Sequence, residues 1–336
     1  MWKVLCLSAA LLIVLRVDQQ ANAAATNDRF VSMAHDSDQD GLSDDVEQGL
    51  LEQFAPKFIV SRRDCSNMPA AFISRGSEPI VQRENGTIYG QVFPARVGRN
   101  SEPVVEIHYY HLWKRDCGRM GHPLDTEHIS ALVRMTDTGK WKALYWYAAA
   151  HEDTVCDASQ ISRAPTLQAE DHGATVWISA GKHASFLNET LCSRGCGGDA
   201  CLEMVPLSLA EIVNLGESGA PMNGALWIAS SRWPLSTKMA RTDFQPAVVA
   251  RLERLPASDI AWVNPGRRPA QATVAAGDST VNALAASNRN TDTAVSNAGN
   301  ATGSALGKTY RNVTRSLGAS AHGVGKFLGY DAAPSH

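Results

Sequence analysis

The stretch from about residue 103 to 265 constrains this chain more than anything else in it. Val104-Val105-Glu106-Ile107-His108-Tyr109-Tyr110 is crowded with β-branched and aromatic side chains, and so are His128 to Met135, Trp141 to Tyr147, Thr175 to Ile178 and Ala247 to Leu252. Such side chains suit a pleated, half-buried surface. Short strands with irregular loops and few long helical periods predict an all-β fold, a β-sandwich core with short helices. Two further strands are expected upstream, Lys57 to Val60 and Thr87 to Phe93, set between Pro and Gly turns. A short helix is expected from Val46 to Phe54, stopped at Pro56, and another near Leu207 to Leu215.

The start of the chain predicts a location outside the cytosol for that fold. Lys3, the apolar run Leu5 to Leu15 and the small-x-small site Ala21-Asn22-Ala23 make a secretory signal peptide of residues 1–23. Arg16 and Asp18 follow the run too soon for a membrane span. The expected location is secreted or cell-surface, or periplasmic in a Gram-negative host. Cys65, Cys117, Cys156, Cys192, Cys196 and Cys201 remain after cleavage, an even number that predicts disulfides. Cys65, far from the others, is expected to tie the N-terminal part to the β core. The Cys192-x3-Cys196-x4-Cys201 cluster reads as a pinned loop, with a zinc site as the rival reading. A net charge of −3 argues against a nucleic-acid partner.

Residues 24–56 hold the sharpest motif. Asp36-Ser37-Asp38-Gln39-Asp40-Gly41-Leu42-Ser43-Asp44-Asp45-Val46-Glu47 fits an EF-hand-like calcium loop of twelve residues. Asp36, Asp38 and Asp40 stand at positions 1, 3 and 5. Gly41 permits the turn, and Leu42 offers its carbonyl. Asp44 bridges through water, and Glu47 chelates with both oxygens. A hard cation wants this oxygen cage, and Ca2+ is the cofactor it implies. A structural role is expected, since there is one loop rather than a pair.

A second constellation opens the strand at Ile129. In Gly121-His122-Pro123-Leu124-Asp125-Thr126-Glu127-His128, Asp125 and Glu127 are two apart and so share one strand face. His122 can fold back to them, and Asp116 lies just upstream. This oxygen-rich set suits a second divalent cation (Mg, Ca or Mn), or acid–base work. A further region, Ser179-Ala180-Gly181-Lys182-His183-Ala184-Ser185-Phe186, brings His183 to a strand end.

Gly121-His122-x-x-Asp125-x-Glu127 resembles the heptapeptide Gly-His-Arg-His-Asp-Trp-Glu of necrosis- and ethylene-inducing (NPP1-like) proteins, with Leu124 and Thr126 departing from it. The resemblance implies a cation held by His122, Asp125, Glu127 and Asp116. The same stretch through His128, with Ala180 to Phe186 and the Leu51-x-x-Phe54-Ala55-Pro56 start, is similar to the Vps62-like family. That family implies a β-rich fold and no settled activity.

Two function classes stay open. One is a secreted binding or lytic protein that uses the second cation to hold a lipid or glycan head group at a membrane surface. The other is a metal-dependent extracellular hydrolase, with His122, Asp125 and Glu127 on the metal, His183 as fourth ligand or proton carrier, and Glu127 and His183 as its catalytic groups. The domain plan is 1–23, 24–56, a β domain at 57–265 and an Ala/Asn/Ser/Gly-rich tail at 266–336. The tail spaces Val274, Val281, Val295, Leu306, Val313, Leu317, Val324 and Leu328 near a helical period. That suits self-association or weak membrane binding.

Overall fold

The computed structural model describes residues 35–75, 78–95, 103–118, 121–194, 201–217, 220–223, a few positions from 232 to 239, 241–267 and the pair 315–316. The leader and nearly all of the tail lie outside the described residues, as does Cys196.

The architecture is β-rich with short helices. The chain opens with α1 (Asp44–Gln53) and β1 (Lys57–Ser61), then a hairpin of β2 (Ala70–Arg75) and β3 (Glu78–Glu84). An antiparallel run follows: β4 (Thr87–Pro94), β5 (Val104–Arg115), β6 (Pro123–Met135), β7 (Trp141–Ala148) and β8 (Gln160–Arg163). Shorter elements complete it: β9 (Thr175–Ile178), β10 (Ser185–Phe186), α2 (Glu189–Arg194), β11 (Met204–Pro206), β12 (Glu211–Asn214), β13 (Gly216–Glu217), β14 (Ala220–Pro221), α3 (Pro246–Glu253) and β15 (Ala261–Trp262). A seven-stranded sheet runs β12-β4-β5-β6-β7-β8-β15, and a four-stranded sheet runs β10-β9-β1-β11. Two pairings are parallel and span long stretches of chain, β1 with β9 and β12 with β4.

The two sheets share one core. Val105, Ile107, Tyr109 and Trp113 of β5 and Ile129, Ala131 and Val133 of β6 meet Phe58, Val60, Val176 and Ile178 of the smaller sheet, with Leu50 and Leu51 of α1 and Phe54 just after it. The opposite face of the large sheet is covered too. Tyr110 and Leu112 pack under Phe72 of β2 and Trp233. Leu132 packs with Phe244, Val248 and Leu252 around α3. Burial on both faces removes the pressure to alternate apolar with polar residues. It also leaves Glu106, His108, His128 and Ser130 fully enclosed.

Helix α1 follows from its sequence. Ser43 caps it by accepting from the Val46 amide, and Asp44, Asp45 and Glu47 stand in the positive first turn. It lies so close to β4 that a Cβ on Gly90 would come within 2.4 Å of Leu51 Cδ2.

Two expected elements change type. The Leu207 to Leu215 region is extended, not helical: β12 gives its backbone to β4, with Ile212 opposite Ile88. The Ala247 to Leu252 strand is instead α3. Pro246 starts that helix with its preset φ. Val248 and Leu252, four apart, bury one face, so packing outweighs β-branching. Cys65 is bonded to Cys117, tying the loop after β1 to the end of β5, and Cys192 to Cys201, pinning the loop after α2. Cys156 is disulfide-bonded as well. Among the described residues no helix is long and apolar enough to cross a membrane.

Candidate functional site

The acidic loop is folded around its own carboxylates. Gln39 and Gly41 both take positive φ, 63° and 96°, which turns the backbone back on itself. The Gly41 amide donates to Asp36 Oδ2 at 3.1 Å, and the Leu42 amide to Asp40 Oδ1 at 2.7 Å. Asp36, Asp38 and Asp40 then bring one oxygen each within 4.8 Å of one another. Glu47, on the first turn of α1, is fully buried, and Asn214 of β12 donates to its Oε2 at 3.1 Å.

What remains unpaired is informative. Asp36 Oδ1, both oxygens of Asp38, Asp40 Oδ2 and Glu47 Oε1 are buried with no hydrogen-bond donor. Buried acceptors without a donor are costly and rare in folded proteins. Burial, with the charges of Asp40 and Asp36 beside it, pushes Asp38 up to about 6. Burial and the charge of Asp38 push Glu47 up to about 8. A divalent cation would satisfy these oxygens and relieve the repulsion together. Asp44 stands apart, accepting from the Ser37 amide at 2.7 Å and the Ser37 hydroxyl at 2.6 Å. Leu42 lends its side chain to the core margin.

The second constellation sits on the β5–β6 turn, near the Cys65–Cys117 bridge. The Asp116 amide donates to the His122 carbonyl at 2.8 Å, closing the turn. Asp116, His122 and Asp125 offer ligand atoms that all lie within 4.8 Å. The two carboxylates are buried, while the His122 side chain is 55 % exposed. This group therefore reaches the surface through its imidazole. Lys182 Nζ donates to Asp116 Oδ2 at 2.6 Å, a partner that must swing aside for a cation to use that oxygen.

His183 and Glu127 take other posts. His183 is fully buried and stacked flat on Trp113, centroids 4.2 Å apart. Its Nδ1 donates to Asp125 Oδ2 at 2.8 Å and its Nε2 to the Ser66 carbonyl at 3.1 Å. Both partners can only accept, so both nitrogens carry hydrogen. Burial opposes the charge, but the bonds and charges of Asp125 and Asp64 outweigh it and raise this imidazole to about 9. With both ring nitrogens occupied, His183 buttresses Asp125 and has no lone pair for a metal. Glu127 is buried beside Lys238 Nζ at 3.3 Å and is not among the residues whose ligand atoms lie within 4.8 Å of one another. Burial pushes its carboxyl up to about 7 against the pull of Lys238. His111 shares this face as a neutral ring, accepting from Trp113 Nε1 and pairing with Ser185 Oγ.

Sequence reasoning missed Asn214, Lys182, Lys238, Asp64 and Trp113. Lys182 stood beside His183 in a segment already singled out. The others come from distant segments that only the fold brings near.

No family model matches the chain, and no curated protein matches it. The Vps62-like resemblance thus rests on its motif residues alone. Among solved structures, two of NLPPya match, a triple mutant and the complex with mannosamine, each 13 % identical with a TM-score of 0.31. They cover 54 % of this chain and 78 % and 77 % of theirs.

Proposed function

We propose that this is an exported calcium-binding protein built on a β-sandwich, whose second divalent site holds an oxygen-rich lipid or glycan head group. The observation that carries the calcium reading is the set of five buried, donorless carboxylate oxygens on Asp36, Asp38, Asp40 and Glu47. An all-oxygen cage suits calcium rather than a nitrogen- or sulfur-seeking metal. Asn214 fixes one oxygen of Glu47 and leaves the other for the ion. Because α1 begins inside the loop and packs into the main core, the calcium is structural.

For the second site, Asp116 and Asp125 ligate from within and His122 from the rim, leaving the solvent side of the ion for a head group. The hydrolase alternative is less well supported. It needs a proton carrier, yet His183 is bound at both nitrogens and Glu127 lies beside Lys238. The signal peptide and the tail at 266–336, as a self-association or membrane-surface segment, belong to the same proposal.

Calorimetric titration tests it. Metal-stripped protein should take up one calcium tightly and lose that event in Asp38→Asn. Vesicle co-sedimentation and glycan-array binding should require a divalent cation and fall in Asp125→Ala. Calcium uptake unchanged by Asp38→Asn would refute the loop reading. Metal-dependent turnover of ester, phosphoester or glycoside substrates would shift the second site to the hydrolase.

A further inference from the structure

A third cluster lies on the other face of the large sheet, independent of the two sites above. His108 on β5, His128 on β6 and Asp243 before α3 offer three ligand atoms within 4.8 Å of one another. Both imidazoles are fully buried and Asp243 is 7 % exposed. The rings lie nearly parallel, centroids 6.2 Å apart.

The hydrogen bonds around His108 leave one ring nitrogen unpartnered on the side of Asp243. His108 Nε2 donates to Glu106 Oε2 at 3.1 Å, so a neutral His108 carries a bare lone pair at Nδ1. That nitrogen has no hydrogen-bond partner and points at Asp243 Oδ2, 3.6 Å away. A histidine whose far nitrogen donates to a carboxylate while its near nitrogen stays bare is set up as a metal ligand. His128 Nε2 lies 3.0 Å from Asp243 Oδ2, an acceptor, and 3.2 Å from Arg241 Nη2, a donor. The Nδ1 of His128 has no hydrogen-bond partner, so Nε2 can serve a metal when the ring hydrogen sits on Nδ1 and Arg241 gives way to the ion. Ser130 Oγ donates to Asp243 Oδ2 at 2.6 Å and holds that oxygen in place.

Charge points the same way. Glu106, Glu152 and Asp243 face the cluster with Arg241, whose guanidinium is held by both oxygens of Glu152. Lys238 is paired with Glu127, and Gln91 donates to Glu217. The carboxylates of Glu106, Glu152, Asp243 and Glu217 stand against the one guanidinium of Arg241, and a dipositive ion offsets their excess negative charge.

We propose that His108, His128 and Asp243 bind a zinc-class divalent transition metal that clamps the segment before α3 onto β5 and β6. Two imidazoles and one carboxylate favour zinc or cobalt over calcium and magnesium. The enclosure makes the ion structural.

Cobalt(II) titration of the metal-stripped full chain tests this. A visible d–d band should grow to saturation at one equivalent, disappear with added zinc and ignore added calcium. It should persist in Glu47→Gln and Asp125→Ala, which separates it from the sites proposed above, and vanish in His108→Gln. Should that variant not fold, Asp243→Asn and the parent protein decide. A parent that gives no band, or whose two imidazoles are doubly protonated at neutral pH by nitrogen-15 NMR with zinc present, overturns the proposal. So does a band that survives both substitutions.

Discussion

Glu47 is the residue on which the calcium reading turns, because it joins the loop to the helix and is the most deeply buried of the carboxylates. Glu47→Gln should abolish the tight calcium event in a calorimetric titration while the metal-stripped protein stays folded, since Asn214 can still bond the amide. Asp125→Ala should remove a different metal equivalent by elemental analysis, with the loop keeping its own. It should also leave His183 charged and buried with one acceptor fewer, a change that costs about 3–5 kcal/mol where a buried pair is broken. The loop ligands were legible in sequence because all of them lie within twelve consecutive positions and backbone geometry alone gathers them. His183 was legible as important but not in its role. That role depends on Ser66 and Asp64, which β1 and its following loop bring in from far upstream.

Among the elements, α1 and the β5–β6 turn carry the most. Gly90 is one contact point of α1 with the large sheet. Gly90→Val should cost about 1–3 kcal/mol by overpacking against Leu51, and Leu51→Ala about 2–5 kcal/mol through the cavity it leaves. Combined, the two should cost less than their sum in urea denaturation, because the cavity makes room for the new methyls. Replacing both Cys65 and Cys117 by Ser should cost ~2–4 kcal/mol. It should also weaken metal binding at the turn far more than at the acidic loop. Long strands were legible from β-branched and aromatic runs, and β9 appears with its expected ends. The β12 and α3 segments were not, because each is decided by a neighbour remote in sequence: β4 for one, the buried face around Phe244 for the other.

At the scale of the whole molecule, acidity should act on the metal-stripped protein in an unusual sense. Glu47 is raised from 4.5 to about 8 when folded, so between those values the unfolded chain ionises first and the native state holds more protons. Stability then falls as pH rises through that window. His183, raised from 6.5 to about 9, adds to the same fall at its upper end. Thermal melting of stripped protein should show Tm dropping from mildly acidic to mildly alkaline buffer, with a shallower drop in Glu47→Gln. Saturating calcium should remove the Glu47 part of this fall, because the ion displaces the proton from the same oxygens, and leave the part from His183. A Tm that rises with pH in the stripped protein would contradict this assignment.

The two parallel pairings bear on the order in which the chain can assemble. Strand β1 waits for β9, and β4 waits for β12, whose last residue, Asn214, closes on Glu47 across 167 positions. Pairings this distant form late, since the entropy of closing the intervening loop is lost before any contact offsets it. The acidic loop leaves the ribosome early, yet its innermost carboxylate gains its neighbour only after β12 has been made. Calcium should therefore leave the early collapse untouched and hasten only the final, slow seating of α1 and β12, acting as a latch on a nearly finished molecule.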